Sequence, residues 1–134
     1  MSDILEYLVR CCGFLWRDAR FRIVDSEVTA VMGGDSWVLI ASDAVQLRFV
    51  RDRGQLFLDL RPAGVPEKSW FSVDLLWRLL LDAKRESAEL DTAYAALIAE
   101  HLDDIERRFA PDEWPATRKA LKALANQRAK EMFG

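Results

Sequence analysis

Histidine, cysteine, glycine and proline are scarce in this chain, and each scarcity removes a class of function. Of 134 residues, one is His, two are Cys, six are Gly and four are Pro. The cysteines, Cys11 and Cys12, are adjacent. The ring that an adjacent pair closes is strained, so they build no disulfide framework. With a single His and no further Cys, they also fall short of a zinc-ligand set, and no pattern calls for a metal or another cofactor. We read Cys11 and Cys12 as small buried hydrophobes. Gly33-Gly34 lacks the Gly-x-Gly-x-x-Gly spacing, a following Lys-Ser/Thr and a following helix, which argues against a phosphate-cradling loop. Nucleophile elbows and kinase-like residue sets are missing as well.

Long apolar runs and a large charge of one sign are also absent. The longest apolar run, Leu75 to Leu81, is broken by Arg78 and is far short of the roughly 18 residues of a membrane span. The net charge of -3 offers little attraction for phosphates, so we expect neither a nucleic-acid nor a membrane partner. The opening Ser2-Asp3-Ile4-Leu5-Glu6 has no basic segment of the kind that begins a secretory leader, which points to a cytoplasmic protein.

What is present builds one domain, residues 1–134, of class α+β. The clearest signal is Val45 to Pro62. Val45, Leu47 and Phe49 alternate with Gln46, Arg48 and Val50, and Leu56, Leu58 and Leu60 alternate with Phe57, Asp59 and Arg61. A period of two places each set on one face of a strand. Between the runs, Asp52-Arg53-Gly54 reads as a three-residue hairpin loop, with Gly54 taking a positive φ. Before the hairpin, Ser2 caps a helix whose apolar stripe reaches Gly13. Phe21–Val24 and Val28–Val31 read as one strand bent around Asp25-Ser26-Glu27. Gly33-Gly34-Asp35 reads as a turn, and Ser36–Ala41 as the next strand. These pieces give a four-stranded antiparallel meander after an N-terminal helix.

Past Trp70 the period changes and three consecutive helices are expected to pack on the sheet. Ser72 caps the first, which runs to Leu81 and is apolar around most of its circumference, as a helix covered on several sides must be. A second runs from about Ser87 to Phe109. Pro111 ends it, and Asp112 starts a third with Pro115 in its first turn, where a missing N–H costs nothing.

The charges divide these helices. From Asp82 to Glu106 eight acids face only Lys84 and Arg85, while after Asp112 bases outnumber acids. One account is two solvated faces that partly pair with each other. The other is an acidic face, Glu100, Asp103, Asp104 and Glu106, that steers a basic partner. Arg51 and Arg53 at the hairpin tip, with Trp70, are the remaining candidate partner-binding residues, Arg and Trp being common interface anchors. Arg48 and Asp59 are expected as a cross-strand pair. His101 has core spacing with Leu97 and Ile105, so we read it as a partly buried imidazole with Asp104 as its orienting neighbour, not as a catalytic base.

The segment LRFVRDRGQLFLDLRP, followed by Trp70-Phe71 and the Leu-rich helix, in a small acidic chain without a catalytic motif, resembles the bacterial immunity proteins of contact-dependent-inhibition and other polymorphic toxin systems. The resemblance is one of general form and transfers no individual site residue. It implies a cytoplasmic protein that binds and neutralises one cognate toxin domain, often a basic nuclease, and needs no cofactor. Rival readings are a small enzyme with an inconspicuous site, a secretion chaperone and a regulatory subunit. The consecutive order of the later helices counts against the chaperone. Unpaired sheet edges offer a further docking mode, by strand addition or homodimerisation.

Overall fold

The alternating runs in the middle of the chain become neighbouring strands of one antiparallel sheet. The computed structural model describes residues 2–17, 19–28 and 35–133. Helices α1 (Ser2–Cys11) and α2 (Phe14–Arg17) come first, followed by strands β1 (Arg22–Val28), β2 (Ser36–Ala41), β3 (Val45–Asp52) and β4 (Gln55–Pro62). A short strand β5 (Phe71–Ser72) leads into helices α3 (Val73–Leu81), α4 (Thr92–Glu100), α5 (Leu102–Phe109) and α6 (Trp114–Phe133). The strand order β1-β2-β3-β4-β5 is that of a meander. The fold is therefore the expected α+β arrangement, with a fifth strand added. Thr29–Val31 and the Gly33-Gly34 turn lie outside the described residues.

Period two decides which side of the sheet is covered. Val38, Ile40, Leu47, Phe49, Leu58, Leu60 and Phe71 point one way and join a core cluster with Ile4 and Leu8 of α1, Val73, Leu75 and Leu76 of α3, Tyr94, Leu97 and Ile98 of α4, and Ile105 and Phe109 of α5. Each such side chain, fully buried, contributes roughly 1.5–3 kcal/mol. Phe109 and Phe71 both pack on Trp114, at centroid distances of 5.1 and 5.7 Å, which brings the start of α6 onto the same layer.

The structure departs from the sequence-based expectation at several boundaries. The hairpin loop is two residues long, because Asp52 already pairs with Gln55. Arg53 (φ 52°) and Gly54 (φ 82°) both adopt positive φ, as the backbone twist of a tight two-residue hairpin loop requires. Asp25-Ser26-Glu27 is not a bend; β1 runs through it, with a register shift between Ile23 and Asp25. Phe71-Ser72, expected to lie in helical territory, pairs with Leu60 and Asp59. Ser72 occupies the N-cap position of α3, but its hydroxyl meets Asp74 Oδ1 at 2.5 Å instead of capping the backbone.

The expected helix Ser87–Phe109 is two helices preceded by a loop. Asp91 is the N-cap of α4 and accepts from the Tyr94 amide at 3.0 Å. Residues before it are tied down elsewhere: Leu90 N–H donates to the Leu56 carbonyl at 2.8 Å, and Arg85 pairs with Asp91 while its guanidinium lies 4.0 Å from the Tyr94 ring. The second break falls at His101, which is C-cap of α4 and N-cap of α5 (φ -111°, ψ 17°). In α4, buried residues spread over two sides, whereas α5 buries a single stripe, Leu102, Ile105 and Phe109. An inner helix and a surface helix need different orientations, so the chain bends between them.

Candidate docking face

The side of the sheet opposite the helices is where the sequence placed the other half of its alternation. Trp37 and Leu39 of β2, Gln46, Arg48 and Val50 of β3, and Phe57, Asp59 and Arg61 of β4 point outward. The register arranges them in rows. Trp37 is the Cα partner of Val50, which is the partner of Phe57; Leu39 stands opposite Arg48, and Arg48 opposite Asp59; Gln46 stands opposite Arg61. All eight are half-buried, shielded by one another, and none belongs to the core cluster. The result is an apolar patch of Trp37, Leu39, Val50 and Phe57 beside a polar corner.

That corner is ordered. Arg48 Nη2 meets Asp59 Oδ2 at 2.9 Å, the expected cross-strand pair, and Arg61 Nε donates to Gln46 Oε1 at 2.7 Å. Trp70, just before β5, receives both guanidiniums on its ring, with Arg48 Cζ at 4.2 Å and Arg61 Cζ at 4.1 Å from the centroid. Stacking on an aromatic face holds a guanidinium in place without neutralising it. Arg61 makes no ion pair among the described residues, and Arg48 Nε is buried with no hydrogen-bond partner there. Two fixed arginines, a tryptophan and an adjoining apolar patch are the residue types that carry most binding energy in protein interfaces.

The other candidate residues are distributed differently. Arg51 is on the helix side of β3 and pairs with Asp3 of α1 at 2.8 Å. Arg53, at the hairpin tip, reaches Asp52 at 4.0 Å and is exposed. The acids of α5 are brought together but already have partners. Asp103 and Glu106 share Arg20, at 2.9 and 2.6 Å, and Ser42 Oγ also donates to Glu106 at 2.7 Å. Asp104 accepts from Arg107 and from Arg108. Burial opposes ionisation of Asp104, but these two guanidiniums outweigh it and hold its carboxyl below the usual range. Glu100 makes no ion pair among the described residues. His101 is half-buried at the helix junction, and Asp104, its expected neighbour, is engaged by the two arginines instead.

The bases of α6 pair with neither α4 nor α5. Arg118 Nε and Trp114 Nε1 donate to Glu67 Oε1 at 2.8 and 3.1 Å, and Arg128 Nη1 reaches Asp74 Oδ2 at 2.8 Å. Both acceptors are buried, so these contacts fasten α6 to the body. Arg78 of α3 completes the set by meeting Glu131 at 3.1 Å.

Two open clefts have linings that share no residue with the outer sheet face. One, of about 370 Å³, is lined by Asp3, Tyr7, Arg10, Cys11, Leu56 and Glu89, among others. The other, of about 720 Å³, is formed by Pro66–Ser69 with Trp114, Pro115 and Arg118. Cys12, next in sequence to the Cys11 of the first cleft, is fully buried, and burial, reinforced by Cys11, pushes its thiol up to about 12. Such a thiol stays protonated at neutral pH and is a poor nucleophile. Among the described residues, no three His, Cys, Asp or Glu side chains are grouped to hold a metal ion, and no helix is long and apolar enough to cross a membrane.

Sequence reasoning selected Trp70 but missed the face it belongs to. The signal was present in the outward set of the hairpin, Val50 and Phe57 among polar residues, together with Trp37 and Leu39 one strand earlier. Only the register could show that these four form one patch. Comparison with known proteins returned no match: no family model, no curated protein and no solved structure corresponds to the chain.

Proposed function

We propose that the protein is a cytoplasmic protein-binding module of the immunity type, which docks a cognate bacterial toxin domain on the outer face of its sheet and blocks it. The observation that carries this reading is the patch of Trp37, Leu39, Val50 and Phe57 on a sheet face that no helix covers among the described residues, bordered by Arg48, Arg61 and Trp70. A sheet can keep one face in water, but that face is then ordinarily polar. Four large apolar residues there are unfavourable for an isolated molecule and favourable for one that is covered when bound.

The charge distribution adds direction to the encounter. Asp82, Glu86 and Glu100 make no ion pair among the described residues, whereas the α5 acids are neutralised by arginines. Unpaired acids of the α3–α4 side attract a basic partner during approach, and the apolar face supplies the short-range energy.

The test is protection. Where a neighbouring gene encodes a toxin domain, that domain is expressed in bacterial cells with and without the protein, and growth is followed; a genome with no toxin gene beside this one would itself contradict the immunity reading. The expected result is rescue by the natural chain and loss of rescue by Val50→Lys/Phe57→Lys at equal expression. Rescue by the double variant equal to that of the natural chain would overturn the face assignment, and failure of the natural chain to rescue would overturn the immunity reading.

A further inference from the structure

Among the described residues the sheet ends on β1, whose outer edge no other strand occupies. Arg22 through Glu27 are all exposed there, including Ile23 and Val24, each about half accessible at 52% and 51%. A free edge of this kind pairs with another strand unless its sequence forbids it. We propose that the occupant of this edge is β1 of a second copy of the chain, joined antiparallel to give one sheet across the two molecules.

The register follows from which way each residue faces. Ile23 and Ser26 are partners of the inward Ile40 and Val38, while Arg22, Asp25 and Glu27 are partners of Ala41, Leu39 and Trp37 on the outer side. The register shift between Ile23 and Asp25 inserts Val24 and changes the alternation by one. Cross-strand neighbours must lie on the same face. For two copies of β1 with full overlap, only one antiparallel register meets this condition on both sides of the bulge. It sets Arg22 against Glu27 of the other copy, and Ile23 against its Ser26. Shifting by one residue in either direction puts inward residues beside outward ones.

Charge complementarity selects the same register. Arg22 has only a distant pair with the fully exposed Asp43, at 3.8 Å, and Glu27 has no ion pair among the described residues. Two-fold symmetry makes the Arg22–Glu27 contact twice, as an isologous interface requires. The bulge and the charges, which guard an edge against indiscriminate pairing, here admit one partner in one register. Ser26 carries a further control. Its amide donates to Asp25 Oδ1 at 2.8 Å. Pairing transfers it to a carbonyl of the second copy and frees Asp25. The junction leaves the outer face of each copy open, so it is independent of the toxin-docking reading.

Sedimentation of the full chain from low micromolar to several hundred micromolar tests the proposal. We expect a reversible monomer–dimer equilibrium. Arg22→Glu or Glu27→Arg alone sets like charges opposite each other twice and weakens the dimer about tenfold. The double variant Arg22→Glu/Glu27→Arg restores it to within about threefold of the natural chain. Asp25→Ala, which frees the Ser26 amide, strengthens it. All three positions are exposed, and a circular dichroism spectrum matching the natural chain confirms folding. A chain that stays monomeric throughout, single reversals without effect, or a double reversal that fails to restore association would each overturn the proposal.

Discussion

Cys12 and Arg53 show how one residue's surroundings decide its chemistry. Cys12 has no accessible surface and a thiol pushed up to about 12 by burial. We therefore expect it to resist a thiol reagent at neutral pH in the folded chain and to react only after unfolding, unlike Cys11, which lines an open cleft. Rapid native-state modification of Cys12, read by mass spectrometry of the labelled peptide, would contradict its placement. Arg53 holds a positive φ of 52° with a full side chain, a region that L-residues other than Gly, Asn and Asp avoid. Arg53→Asn relieves this and supplies the Asn-Gly pair favoured by two-residue hairpin loops, so it should stabilise the chain by roughly 0.5–1 kcal/mol in chemical denaturation. An unchanged or lowered stability would contradict the turn geometry. Gly54 was legible as a positive-φ position from its residue type alone. Arg53 was not, because arginine carries no turn signal and only the pairing of Asp52 with Gln55 forces its conformation.

Among the elements, α6 depends on charge more than the others. It fully buries only Trp114, Thr117 and Leu121 and is otherwise fastened through Glu67, Asp74 and Arg78. Burial opposes ionisation of Glu67, but the Ser69 amide, Arg118 and Trp114 Nε1 all donate to it and hold its carboxyl below the usual range. A carboxyl lowered in the folded state contributes stability that is fully present above the pKa of the unfolded chain, about 4.3 for Glu. That stability disappears as the pH falls through the lowered folded-state value. Glu67→Gln should cost roughly 1–3 kcal/mol at neutral pH, and the gap to the natural chain should close in acid. Unfolding free energies measured across pH check both parts, and a gap that persists at low pH would contradict the assignment. The start of α6 was legible from Pro111, Asp112 and Pro115. The division of the preceding helix was not, since residues 87–106 hold neither Gly nor Pro. The boundary at Asp91 rests on a side-chain cap and on Arg85 packing against Tyr94, contacts that periodicity does not encode. The strand at Phe71–Ser72 was hidden for the same reason: two residues are too few to show alternation.

At the scale of the whole molecule, the helices gather on one side of the sheet, and the outer side keeps Trp37, Leu39, Val50 and Phe57. The proposed docking uses this face more than the acidic helices. The structure also indicates which substitutions separate the two. Reversing Asp103, Asp104 or Glu106 would set lysine beside Arg20, Arg107 or Arg108 and disturb the fold, whereas Glu100→Lys disrupts no ion pair among the described residues. On the sheet, Val50→Lys/Phe57→Lys changes outward side chains only. The decisive measurement is the dissociation constant for the proposed partner, a purified toxin domain against which the natural chain protects cells, measured for the natural chain and these two variants at two salt concentrations. Two interface anchors at about 2 kcal/mol each predict a loss of roughly 1,000-fold for the sheet variant. Glu100→Lys should lose only a few-fold, mainly through slower association at low salt. Full affinity in the sheet variant, with the larger loss in Glu100→Lys, would contradict the account.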